Sequence, residues 1–147
     1  MFPWVLGVAV AVLVGGCAVA VLSFVSARRD AAEGNVEAAV RVVAGSQPPL
    51  TGKWRHGVVS PSPGLLRFRR GGPGGMRLPH RRRPFDDLSV TSVDAGNRSH
   101  PARRQFWTIN PWLDVVRLST PTATVELAAD RAQLDRVIAG ISSPHPA

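Results

Sequence analysis

Residues 51–70 read TGKWRHGVVSPSPGLLRFRR, and this stretch decides the fold class. Trp54, His56 and Val58 alternate with Arg55 and Gly57, and Leu66 and Phe68 alternate with Arg67 and Arg69. Successive residues of a strand point to opposite faces, so a period of two predicts two half-buried strands. The SPSPG between them (60–64) supplies turn chemistry, because proline pre-sets one backbone angle and glycine accepts conformations closed to other residues. The pattern recurs downstream. Leu88 and Val90 alternate with Ser89 and Thr91, and FWTI (106–109), DVVRLST (114–120) and TVELA (124–128) continue the series. Turn residues GGPGG (71–75), DAGN (94–97) and Asn110-Pro111 separate them. The reading is about six or seven antiparallel strands.

The chain closes on a helix. Leu134, Val137, Ile138 and Ile141 recur at helical spacing and form one apolar stripe. Asp130 with Gln133 resembles a capping box, and Pro144 stops the helix. Strands followed by one terminal helix is the arrangement of a pleckstrin-homology-like (PH-like) barrel, although the pattern alone would also permit another small α+β sheet. Upstream of the hairpin, Val36, Ala39, Val40 and Val43 also fall at helical spacing, which predicts that 30–45 either extends the N-terminal helix or forms a short amphipathic helix before breaking at Gly45. Gln47-Pro48-Pro49 then makes a stiff spacer.

At the N-terminus, residues 5–25 (VLGVAVAVLVGGCAVAVLSFV) carry no charge. As a helix they would cover roughly 32 Å, against a hydrocarbon core of roughly 30 Å, which predicts one transmembrane pass. Arg28 and Arg29 follow the run and no basic residue precedes it, so the positive-inside rule places the N-terminus outside and the rest in the cytoplasm, at the plasma membrane. A cleaved signal peptide, or lipoprotein-type processing at Cys17, would export the same residues instead; the missing charged n-region argues against it. The expected architecture is therefore α+β: one N-terminal transmembrane helix, then a small antiparallel β-barrel or sandwich, PH-like, with a C-terminal helix. Its divisions are an anchor (1–27), a juxtamembrane linker (28–50), the β domain (51–143) and a tail (144–147).

Charge is unevenly placed. The chain carries +8 overall, yet between residues 51 and 110 twelve Lys and Arg meet only Asp86, Asp87 and Asp94. Lys53, Arg67, Arg69, Arg70, Arg77, Arg81, Arg82 and Arg83 make a cationic block suited to anionic phospholipid of the inner leaflet, where each basic residue near the surface contributes about 1 kcal/mol. A solvated basic rim would carry the same charge. Trp107 and Trp112 are candidate aromatic anchors for a membrane-protein partner. Nucleic acid ranks last as a ligand, because an anchored domain meets it rarely.

Catalytic patterns are missing. The sequence has no HExxH, no GxSxG and no cysteine pair, Cys17 being the single cysteine. GGPGG lacks the Gly-Lys-Ser/Thr ending of a phosphate-cradling loop. Asp86 and Asp87 are adjacent on a strand and so face opposite ways. The four histidines are dispersed. The expectation is a non-enzymatic binding or scaffold protein with no cofactor, no metal and no small-molecule substrate.

Taken together, an apolar N-terminal run, the opening WRHGV (54–58), an apolar-x-Arg strand (66–69), an Arg-rich turn and VELA (125–128) leading into a helix resemble an uncharacterised actinobacterial family of single-pass membrane proteins that carry a domain of unknown function. The resemblance implies a PH-like cytoplasmic domain and no catalytic residues. It transfers no site.

Overall fold

The computed structural model describes residues 25, 28, 32–71, 84–105 and 107–144. Seven strands run in chain order as β1 (Val36–Gly45), β2 (Arg55–Ser62), β3 (Leu65–Arg70), β4 (Asp86–Ser89), β5 (Ser92–Ser99), β6 (Asp114–Ser119) and β7 (Ala123–Ala129), and a helix α1 (Arg131–Ser142) follows. The strands form one sheet in the order β4-β3-β2-β1-β7-β6-β5, with every neighbouring pair antiparallel.

The central strand is the one expected to be a helix. β1 pairs with β2 from Val36↔Val59 to Val40↔Arg55, and with β7 from Ala39↔Ala128 onward. VEAAVRVVAG satisfies both periods, since Val36, Ala38, Val40 and Val42 also share one strand face. The strand prevails because its Val-rich, β-branched composition suits a pleated surface and because neighbours on both sides take up its backbone groups. A bulge between Val42 and Ala44 precedes Gly45, where φ is +79° and an added Cβ would lie 2.2 Å from the Thr122 carbonyl oxygen. Only glycine fits there. Pro61 lies within β2 beyond the last β1 pair, where its missing N–H removes no ladder bond.

Curvature follows from connectivity. β4 and β5 occupy opposite edges of the sheet, yet only Val90 and Thr91 separate them in the chain. A flat ladder of this width would hold its edges roughly 29 Å apart, whereas three Cα steps reach roughly 11 Å. The sheet must therefore curl until its edges approach at this corner. Val90 N donates to Gly64 O at 2.8 Å and Thr91 N to Ser119 O at 2.8 Å, which fixes the corner to the β2–β3 turn and to β6.

The expected architecture is corrected in two respects. The strands form one continuous sheet plus a C-terminal helix, not a closed PH-like barrel or a two-sheet sandwich: β1 belongs to both halves, and β4 and β5 do not pair with each other. Alternation in sequence reports which residues face inward and carries no information on how many sheets the strands make. No N-terminal transmembrane helix enters the observed fold either, since no helix among the described residues is long and apolar enough to cross a membrane. Of the apolar run 5–25, only Val25 is described.

α1 lies on the concave face. Leu134, Val137 and Ile141 are buried against Val40, Val59, Leu66, Val116 and Leu127, each such side chain contributing roughly 1.5–3 kcal/mol. Ile138 is only half-buried, so the stripe is narrower than its spacing predicts. The Asp130 side chain makes no cap hydrogen bond; instead Arg98 of β5 holds the helix through Asp135, at 2.6 Å. Gly64 N donates to Ile141 O at the far end. The opposite face carries a second cluster, Ala39, Trp54, Ile109, Val115 and Ala128, with Leu113 packed against it. Ile109 comes from the β5–β6 connection, which is a loop with one short 3-10 turn at Arg103–Gln105, not the strand that residues 106–109 suggest. The turn expected at 94–97 lies inside β5.

Candidate binding surface

β3 divides the basic block between two faces. Arg67 stands opposite Ser60 and Asp87, and Arg69 opposite Val58, so both belong to the convex face, away from α1. Phe85, just ahead of β4, lies beneath them: its ring centroid is 5.7 Å from the Arg67 guanidinium carbon and 4.6 Å from that of Arg69. Each is a cation–π contact that holds a positive group over an aromatic face. Arg67 Nη2 also donates to Ser60 Oγ at 3.4 Å. Phe85 has no periodic signal in the sequence. Lys53 is exposed in the loop ahead of β2, its backbone N donating to Thr51 Oγ1 at 3.4 Å. Arg77, Arg81, Arg82 and Arg83 lie outside the described residues, in the connection between β3 and β4.

The β5–β6 loop is seated on the same convex face. Trp54 Nε1 donates to Gln105 Oε1 at 3.2 Å, and the His56 ring Nε2 meets Thr108 O at 2.8 Å. His56 shares its face of β2 with Val58 and thus with Arg69. Within the loop, Thr108 and Ile109 backbone N–H groups both donate to Gln105 O, Leu113 N donates to Asn110 O, and Trp112 N donates to Asn110 Oδ1. This bonding holds a loop whose Trp107 and Trp112 side chains are each 84% exposed.

Between these features and the sheet interior sits a buried charge. Glu126 is 5% exposed and accepts from Arg41 Nε at 2.9 Å, Arg41 Nη2 at 2.6 Å and Arg117 Nε at 3.3 Å. Arg41 also lies 4.5 Å from the Trp54 ring centroid. This network ties β1, β6 and β7 together around one carboxylate.

Arg70 falls on the other face. It lines a groove at the open end of the concave side together with Arg55, Phe68, Asp86, Pro49 and Pro84. Asp87 stands opposite Arg67 on the convex face, so the two carboxylates are separated as strand geometry requires. Among the described residues no three His, Cys, Asp or Glu side chains come together in a way that could hold a metal ion. No protein-family model, curated protein or solved structure matches the chain.

Proposed function

We propose that the chain is a non-catalytic binding protein that lays its convex face against an anionic phospholipid surface, that of the cytoplasmic leaflet of the plasma membrane. The observation that carries the reading is the pairing of Arg67 and Arg69 over Phe85 beside a loop that presents Trp107. Guanidinium groups seek lipid phosphates, at about 1 kcal/mol for each one near the surface. Tryptophan favours the boundary between headgroups and acyl chains, where its ring is apolar and its N–H still finds a partner. Both chemistries belong to one face. The sequence between β3 and β4 adds Arg77, Arg81, Arg82 and Arg83.

The test is vesicle cosedimentation of residues 32–144, after circular dichroism has established that the fragment is folded. It should sediment with vesicles that contain phosphatidylglycerol and remain in the supernatant with phosphatidylcholine alone. Replacing Arg67 and Arg69 together by Ala should lower partitioning roughly thirtyfold, the equivalent of about 2 kcal/mol. Raised salt should weaken binding, because the screening length falls from about 10 Å at 0.1 M to about 3 Å at 1 M. A folded fragment that ignores anionic vesicles at low salt overturns this reading and leaves Trp107 and Trp112 as anchors for a protein partner.

A further inference from the structure

The groove on the concave side lies across the sheet from the surface just described and stands independently of it. Its floor is Phe68, 1% exposed. The ring lies flat against β2 because residue 57 is glycine: a Cβ there would come within 2.7 Å of Phe68 Cε2 and 2.9 Å of Cζ. Pro49 and Pro84 wall the groove, whose free space is about 80 Å³. That suits a small polar ligand of a few heavy atoms, while drug-sized ligands fill pockets of roughly 300 Å³ or more.

Arg55 and Arg70 line this space from neighbouring strands, Arg55 across from Val40 and Arg70 across from Gly57. Among the described residues neither guanidinium has a hydrogen bond, an ion pair or a ring contact, in contrast to Arg41, Arg67, Arg98 and Arg117. Arg55 is half-buried and Arg70 exposed, and their unused N–H donors are available to an anion seated over the apolar floor. Asp86, across from Phe68, is on the same lining, and among the described residues no cation is within bridging distance of it. The groove thus offers two anion-seeking groups and one cation-seeking group around a volume of phosphate size.

We propose that this groove binds a phosphate group carrying an ammonium a few bonds away, with Arg55 and Arg70 on the phosphate oxygens and Asp86 on the ammonium. Phosphoethanolamine, free or as a lipid headgroup, has this chemistry. A phosphate without the ammonium leaves Asp86 facing an anion, and an amine without the phosphate leaves the two arginines uncompensated. Selectivity therefore depends on both ends.

The experiment titrates the full chain, in a neutral detergent, with phosphoethanolamine, inorganic phosphate and ethanolamine, followed by calorimetry and phosphorus NMR line broadening. Phosphoethanolamine should bind more tightly than phosphate, and ethanolamine not at all. Arg55→Gln or Arg70→Gln should each weaken phosphoethanolamine about tenfold, the loss of one charge-assisted contact, with Arg→Lys recovering part of it. Asp86→Asn should retain phosphate binding and abolish the preference for phosphoethanolamine, a reversal that a general loss of folding would not produce. Retention on phosphatidylethanolamine vesicles relative to phosphatidylcholine, lost in the double Arg55→Gln/Arg70→Gln variant, identifies a lipid source; binding of the soluble compound alone identifies a free one. Replacing Arg67 and Arg69 by Ala should leave all these titrations unchanged, which separates the groove from the convex surface. No binding of either phosphate compound at millimolar concentration, undiminished binding in the double variant, or unchanged selectivity in Asp86→Asn would overturn the assignment.

Discussion

Glu126 is the residue whose replacement tests the convex-face network most directly. Glu126→Ala leaves the part-buried Arg41 without its carboxylate and should cost about 3 kcal/mol, seen as a lower midpoint in urea. Arg117→Ala should cost less than about 1 kcal/mol, since that side chain is 55% exposed. Equal effects would mean that Arg117, and not Arg41, is the principal partner of Glu126. Glycines discriminate on steric grounds. A Cβ on Gly57 would lie 2.3 Å from the Arg69 carbonyl oxygen, while one on Gly96 meets nothing within 4 Å. Gly57→Ala should therefore lower the melting temperature and distort the groove by displacing Phe68 from its floor, costing about 1–3 kcal/mol, and Gly96→Ala should leave melting unchanged.

The helix is the element on which the concave core depends. Leu134 and Val137 are both 0% exposed, so Leu134→Ala should cost about 2–5 kcal/mol through lost burial and the cavity left behind. Val137→Asp should abolish folding, because it buries an unpaired carboxylate. Ile138→Asp should be milder, since Ile138 lies at the margin of the interface; thermal melts of the two aspartate variants rank the positions, and the reverse order would mean that the helix is rotated from the placement described. Gly140 packs so close to Pro61 that an added Cβ would sit 2.9 Å from the proline Cβ. The seam between α1 and the β2–β3 hairpin therefore tolerates no larger residue at that point.

For the whole molecule, the decisive fact is that β1 is the central strand. A fragment beginning at residue 51 would remove it, leaving β2 and β7 each with an unpaired edge and the core open between them. Such a fragment should lack a cooperative melt and dispersed amide NMR signals, whereas residues 32–144 should give both. A folded fragment 51–147 would mean that the two halves of the sheet are stable apart. Charge acts at this scale as well. Exposed arginines lie on several elements, Arg67 and Arg70 on β3, Arg117 on β6, and Arg131 and Arg136 on α1, and screening by salt should act on partitioning without lowering the stability of the fold.

Local sequence determined which residues face inward along β2, β3, β6 and β7, because alternation is a property of the strand itself. It likewise determined the terminal helix, whose stripe of Leu134, Val137 and Ile141 recurs with the helical period. It also located the positive charge. Tertiary structure alone decided the rest. The 36–45 stretch fits both periods, and only pairing with β2 and β7 makes it a strand. The separation of Arg69 from Arg70 onto opposite faces follows from the pleat, but what each face holds depends on partners distant in sequence: Phe85 beneath Arg67 and Arg69, and Arg55, Phe68 and Asp86 around Arg70. Closure of the corner at Val90 and Thr91, one sheet in place of two, and the seating of the tryptophan loop through Gln105 and His56 are all non-local. Their energies come from contacts between elements, which neither periodicity nor composition records.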